Sequence, residues 1–241
     1  MFIGRLTLRE IQKEASQAST FVFEKSQATW LAGQHFMFIK QHFPFDFRGL
    51  TRVFTIVSAP EEDTLSFTTR YFDDTSSSFK RALFRMQPGD RLWAYGPSPI
   101  FDYFRALDAD KEYVLLIGGI GITPVISILE YIVKKDLNTD VCLLYSNRSK
   151  DDIAFGQEID IWSKGNPRIK VFYTITDQEP KDQRYYFGRI DKQFLMKNIP
   201  DFKERIFFIF GPPKMVSAME NICNEAGCNK EMIKAENFVG Y

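Results

Sequence analysis

The sequence is short of several things, and each shortage removes a class of function. It has three cysteines, Cys142, Cys223 and Cys228, and no C-x-x-C pair among them. Four-cysteine zinc or iron–sulfur ligation within the chain is therefore excluded, and no metal site is expected. Cys142 lies in an apolar run and reads as a small core residue. Cys223 and Cys228 flank a helix end, where a disulfide would run against the reducing conditions of a cytoplasmic protein. Neither charge sign is in excess, with 31 basic and 31 acidic side chains. A nucleic acid or an anionic membrane is accordingly not expected as partner. No apolar stretch approaches the length of a membrane span, and the N-terminus lacks a signal-peptide layout, so the expected location is the cytoplasm. There is no internal repeat and no low-complexity tract.

What the chain has in quantity is phenylalanine, 24 in 241 residues. A phenylalanine-rich core accounts for most of them, and aromatic faces also sandwich planar cofactors. The two halves differ in pattern. In residues 1–104, short β-branched and aromatic runs are punctuated by turn residues: Phe2–Leu8, Thr20–Glu24, Gln34–Lys40, Arg52–Ser58, Thr64–Phe72 and Arg91–Tyr95. Period-two alternation with such spacing predicts an antiparallel barrel, interrupted by one helix over Ser78–Met86. Residues 105–241 alternate strand with helix. Continuous apolar runs such as Tyr113–Ile117 are separated by helical segments such as Pro124–Lys135 and Pro213–Glu225. This pattern predicts a parallel sheet covered on both faces. The expected architecture is two domains: an N-terminal antiparallel β-barrel of Greek-key type, and a C-terminal α/β domain with a parallel sheet that binds a nucleotide.

Three segments carry chemistry. Gly118-Gly119-Ile120-Gly121-Ile122-Thr123-Pro124 follows a buried strand and opens a helix. Glycines there let the backbone approach a bulky anion, and amide N–H groups at a helix start face it. Thr123 is placed to cap that helix and Pro124 suits its first position. Because Pro124 stands where G-x-G-x-x-G has its last glycine, the ordinary dinucleotide fingerprint does not apply. Phe207–Met215 repeats the theme, a strand ending in Gly211 and a helix beginning after Pro212. Two such loops on neighbouring strands would form one crevice at the carboxyl edge of the sheet. The third segment is Arg52-Val53-Phe54-Thr55, which by alternation sets Arg52 and Phe54 on one face and Val53 and Thr55 on the other.

Taken in order, these segments resemble the ferredoxin–NADP reductase-like flavoprotein family. The flavin motif Arg-x-Tyr/Phe-Ser/Thr is similar to Arg52–Thr55, and the serine opening the barrel helix to Ser78. The nicotinamide-domain loop Gly-Gly-x-Gly-x-Thr-Pro is similar to Gly118–Pro124, Cys-Gly-Pro-Pro-x-Met to Phe210–Met215, and the acidic-aromatic C-terminus to Glu236–Tyr241. The resemblance implies that Arg52 binds flavin phosphate, Phe54 packs on the flavin and Thr55 bonds near N5, with Val53 in the same segment. It implies a pyrophosphate held around Ser77 and Ser78. The nicotinamide nucleotide falls to Gly119, Gly121 and Thr123, with Gly211, Pro212 and Met215 in the second loop and Arg148 near the adenosine ribose. It implies Glu236 as a proton relay, and Tyr241 or Phe238 as the aromatic that covers the flavin. Phe210 replaces the family's cysteine, so thiol assistance there is excluded. The missing glycine before Ser78 leaves both FAD and FMN open, with FAD preferred.

The implied function is hydride transfer from NADPH or NADH to bound flavin, then electron transfer to a separate acceptor, a small redox protein such as ferredoxin or flavodoxin. Ser146, Arg148 and Lys150 favour the 2′-phosphate of NADPH, and Asp151 and Asp152 oppose it. Two alternatives stand beside this: a reductase subunit of an oxygenase or larger electron-transfer complex, and a non-catalytic nucleotide-binding sensor.

Overall fold

Period-two alternation in the first half becomes six antiparallel strands in the computed structural model, which describes residues 1–73, 75–98 and 111–238. Tyr241 and the expected 104/105 boundary lie outside the described residues. The strands are β1 (Phe2–Ala15), β2 (Ala18–Glu24), β3 (His35–Ile39), β4 (Thr51–Thr55), β5 (Thr64–Arg70) and β6 (Arg91–Gly96), with helix α1 (Ser78–Leu83) between β5 and β6. Their order in the sheet is β4-β3-β6-β1-β2-β5. The two ends of that order meet: Ile56, just past β4, bridges Phe67 of β5, and Val57 N–H donates to Ser66 O at 2.8 Å. The sheet thus closes on itself, which removes its open edges.

Closure directs one face of every strand inward, and that face holds the phenylalanines. Phe21, Phe23, Phe36, Phe38, Phe67 and Phe79 are fully buried. Phe67 is the hub, with ring centroids 4.4 Å from Phe54 and 4.5 Å from Phe38. Each aromatic pair adds about 0.5–1.5 kcal/mol to the burial of its area, so this cluster supports the barrel without a disulfide.

The second half forms β7 (Glu112–Gly118), β8 (Asp140–Asn147), β9 (Ile169–Ile175), β10 (Tyr185–Phe187), β11 (Ile206–Gly211) and β12 (Ile233–Asn237). Helices α2 (Thr123–Lys134), α3 (Gly156–Gly165), α4 (Lys192–Asn198) and α5 (Pro213–Ala226) alternate with them. The sheet order is β10-β9-β8-β7-β11-β12, and every pair is parallel. The barrel followed by a parallel α/β sheet is the architecture expected from the sequence.

Two elements depart from the sequence reading. β1 runs seven residues past Leu8, because Glu10–Ala15 pair with β2 in an exposed ribbon. β10 is a short edge strand in a polar stretch that carries no alternation signal. By compactness the described residues fall into two units, 1–98 with Thr123–Tyr131, and 111–122 with 132–238. Among the described residues no helix is long and apolar enough to cross a membrane. Cys142, Cys223 and Cys228 are all buried free thiols.

Candidate functional site

Strand order in the parallel sheet decides where a ligand fits. From β7 the chain steps one way to β8, β9 and β10, and later returns to β11 and β12 on the other side of β7. The loops leaving β7 and β11 therefore sit side by side at the carboxyl edge, at the topological switch point where such sheets bind ligands. Their backbones touch. A Cβ built on Gly121 would stand 2.6 Å from Phe210 O and 2.9 Å from Gly211 N, closer than real side chains approach. One built on Gly118 would meet Met215 Sδ at 2.1 Å, which explains both the glycine and the placement of Met215. The turn begins earlier than the sequence predicts: Gly119–Ile122 form a three-ten turn, and α2 starts with the buried Thr123 itself rather than after it.

Tyr145, fully buried on β8, steadies this turn. Its hydroxyl donates to Gly119 O at 3.1 Å and accepts from Ala154 N–H at 3.3 Å. Sequence reasoning missed it, since a tyrosine in an apolar run looks like core filling. Beyond β8, Arg148 is exposed, and the Asp152 carboxylate accepts from Ser149 N–H at 3.2 Å and Ser149 Oγ at 2.8 Å. Asn147 is buried, and both of its side-chain polar atoms find no hydrogen-bond partner among the described residues.

On the other flank of β11, Glu236 pairs in register with Phe210, and Phe238 N–H donates to Gly211 O at 2.9 Å. Pro212 caps α5 in extended conformation, so Gly211, Pro212, Glu236 and Phe238 are gathered at one strand end. Burial pushes the Glu236 carboxyl up to about 7. A carboxyl so placed holds or releases a proton near neutral pH.

The barrel carries a second constellation. Thr55 ends β4 and is buried, and its Oγ1 finds no hydrogen-bond partner among the described residues. Its register partner on β3, His35, is held neutral, burial pushing it down to about 4. Val53 is half exposed, while Phe54 is buried with its ring stacked on Phe67 at an interplanar angle of 9°. Arg52 is half-buried; its guanidinium lies 5.4 Å from the Phe79 ring centroid and donates to Arg48 O at 2.7 Å.

Ser77 caps α1, accepting from Lys80 N–H. Ser78 N–H donates to Asp46 Oδ2 at 2.8 Å, and Ser78 Oγ accepts from Asp46 N–H at 2.9 Å and lies 2.8 Å from His42 Nε2. The Ser78 N–H, together with Arg48, holds the Asp46 carboxyl down at about 2. Asp46, Arg48 and His42 carry no motif and were not read from the sequence. Beside Ser78 a cavity of about 440 Å³ is lined by Lys40, His42, Arg81 and Arg85 among others.

Comparison with known proteins agrees with this geometry. Residues 115–221 match the model of the oxidoreductase NAD-binding domain family. An Arabidopsis thaliana NADH-cytochrome b5 reductase-like protein is 31% identical over 163 residues, 61% of this chain and 49% of that protein. The chain thus spans about half the length of that relative. Among solved structures, the flavohem-like FAD/NAD-binding domain of a Vibrio cholerae nitric oxide dioxygenase superposes with a TM-score of 0.84 at 19% identity, covering 97% of this chain and 98% of that one. A Neisseria gonorrhoeae ferredoxin NADP+ reductase with bound FAD and NADP gives 0.77 at 20% identity, covering 99% of each chain. Residues 115–221 thus carry an oxidoreductase NAD-binding domain, and the whole described length has the two-domain fold of these FAD- and NAD(P)-binding structures.

Proposed function

We propose that this chain is an NAD(P)H-dependent flavoprotein reductase that holds FAD on its barrel and passes electrons to a separate small redox protein such as ferredoxin or flavodoxin. The observation that carries the reading is the buried Thr55 hydroxyl, left without a partner among the described residues at the end of the one strand that also bears Arg52. Leaving a buried hydroxyl unpaired costs about 1–3 kcal/mol, and a flavin ring nitrogen is a partner that would remove that cost. The donor set fits the nucleotide too. Arg52, Ser77 and Ser78 supply charge and hydroxyls for its phosphates, and the 440 Å³ cavity with its cations suits the larger FAD rather than FMN. A bound flavin supplies acceptance of a hydride from nicotinamide and its release as single electrons.

The protein residues supply position and protons. Gly119, Gly121 and Thr123, with Gly211, Pro212 and Met215, cradle the nicotinamide nucleotide, and Arg148 takes its adenosine end. Thr55 orients the flavin through its hydroxyl, Phe54 supports the barrel wall beneath it, and Phe238 or Tyr241 covers the ring. Glu236, with its carboxyl at about 7, gives and retrieves a proton during turnover. Arg148 and Lys150 favour NADPH; the Asp152 carboxylate, already accepting two bonds from Ser149, stands against it. A kcat/KM comparison of the two coenzymes ranks these opposing charges. Three unbridged thiols favour a cytoplasmic location.

The test is a visible spectrum with anaerobic titration by each reduced coenzyme. Yellow protein bleached by NADPH or NADH is the expected result. A colourless protein that takes up neither FAD nor FMN overturns the reading.

A further inference from the structure

We propose that the loop between β3 and β4 docks this protein on an anionic lipid bilayer, seating the rings of Phe43, Phe45 and Phe47 in the headgroup region. The inference is independent of the flavin reading. Phe43 is 90% exposed, Phe45 60% and Phe47 96%. Single apolar residues on a surface are ordinary, whereas three aromatic rings within one short loop are not. Together they present on the order of 400–500 Å² of aromatic surface to water.

Polar bonds hold the rings outward. Lys40 N–H donates to Leu50 O at 3.0 Å across the base of the loop, and Gly49 N–H donates to Asp46 O at 3.0 Å, Gly49 taking a φ of +74°. Asp46, between Phe45 and Phe47, is half-buried and tied to α1. Ser78 N–H donates to its Oδ2 at 2.8 Å, and its own N–H donates to Ser78 Oγ at 2.9 Å. Arg48 donates to Thr75 O at 2.9 Å. The backbone is thus fixed while the rings stay outside the core, so docking orders little that is not already ordered.

Charge selects the occupant. Lys40, Arg81 and Arg85 line one cavity with Phe43, and the Arg48 guanidinium lies 5.6 Å from the Phe47 ring centroid. Two acids stand against these cations: Asp46, paired with Arg48 at 2.9 Å, and Asp90, whose Oδ2 accepts from Gln87 N–H at 2.9 Å. Balanced charge over the whole chain speaks against a membrane partner, yet the local balance here is positive. Flavin phosphates in the cavity would offset part of that charge, which leaves the rings as the main attachment. Aromatic rings bordered by cations match an anionic headgroup layer above an acyl boundary. A protein partner fits less well. A stable protein interface takes about 800 Å² from each side, well beyond this area. A bilayer needs no matching shape and accepts each ring separately.

In the experiment the full chain is sedimented with vesicles of phosphatidylcholine alone and of phosphatidylcholine mixed with phosphatidylglycerol. Partition into the mixed vesicles is expected to be tighter by about fivefold or more, the effect of one basic side chain near a charged surface, and high salt should remove that preference. Phe45→Ser/Phe47→Ser leaves the cavity lining intact and should weaken partition about ten- to a hundredfold with the urea midpoint unchanged. Ile161→Ser, at a lone exposed apolar residue of α3, should bind as the parent does. No partition of the unaltered chain into the mixed vesicles overturns the proposal, as does equal binding to both lipids or undiminished binding by the double variant. A dimer in solution that the double variant dissociates would give the rings to a second copy and overturn it too. If the double variant fails to fold, the lipid and salt comparison on the unaltered protein decides.

Discussion

Adding one methyl group at Gly121 tests the nucleotide cradle more sharply than deleting a side chain. The new Cβ would lie 2.6 Å from Phe210 O, 2.7 Å from Phe210 C and 2.9 Å from Gly211 N, all backbone atoms of a buried strand end. Ordinary contact starts near 3.5 Å, so the two loops must part by about 1 Å. Overpacking of that kind costs about 1–3 kcal/mol. With a typical urea dependence, Gly121→Ala moves the unfolding midpoint down by on the order of 1 M. A shift of about 1 Å in a positioning loop also slows reduction by the coenzyme roughly a hundredfold in stopped flow. Gly118→Ala is the graded comparison, since its Cβ meets chiefly the movable Met215 side chain. Gly165→Ala is the control: nothing lies within 4 Å, and it should stabilise α3 by about 0.4–1 kcal/mol. If Gly121→Ala unfolds and turns over as the parent does, the two loops are not in contact and the cradle is wrong.

Thr55→Val removes the buried orphan hydroxyl, so the flavin-free protein should gain about 1 kcal/mol in urea unfolding while single-turnover flavin reduction slows about tenfold; unchanged reduction would refute the role of Thr55. Tyr145→Phe strips Gly119 O and Ala154 N–H of one shared partner and should cost about 1–3 kcal/mol, with weaker coenzyme binding; a neutral outcome would show the turn to be self-supporting. Glu236 and His35 give opposite slopes of stability against pH. Glu236, raised to about 7, keeps its proton in the folded state, so its share of stability, on the order of 3 kcal/mol, is lost as pH rises from about 4.5 to 7. His35, lowered to about 4, binds its proton only when unfolded, so its share is lost as pH falls from about 6.5 to 4. Glu236→Gln should therefore leave a protein whose urea midpoint climbs between pH 4 and 6.5; a flat profile would refute the assignment.

The centre of the parallel half was legible because β7, β8 and β11 are buried almost throughout and must be apolar, and because Gly-to-Pro turns mark the ends of β7 and β11. The barrel was legible in number and order of strands, yet not in length. The sequence ends the first strand at Leu8 because Arg9–Ala15 is mostly charged and polar, and only pairing with β2, a partner met after the turn, makes it strand. The motif positions Gly121, Gly211 and Met215 are brought together as their spacing suggested, because strand ends fix them. Asp46 and Arg48 were invisible for a different reason. Each is an ordinary surface residue type, and only the fold brings a loop carboxylate 32 residues along the chain to Ser78, or Arg48 to Thr75 O. Phe54, which the resemblance implies packs on a flavin, is buried with its ring stacked on Phe67.

The closure of the barrel has a consequence of its own. A cylinder of six strands is fastened between β4 and β5 by one bridge, Ile56 to Phe67, with added bonds from Val57 N–H to Ser66 O and from Ser66 N–H to Ser58 Oγ. That makes a seam, and the seam begins one residue after Thr55. The backbone ladder is thinnest along that line, held beneath by the Phe54–Phe67 stack, and a molecule gripped by Thr55 would act as a clasp beside it. Loading the barrel and tightening it are, on this construction, the same event.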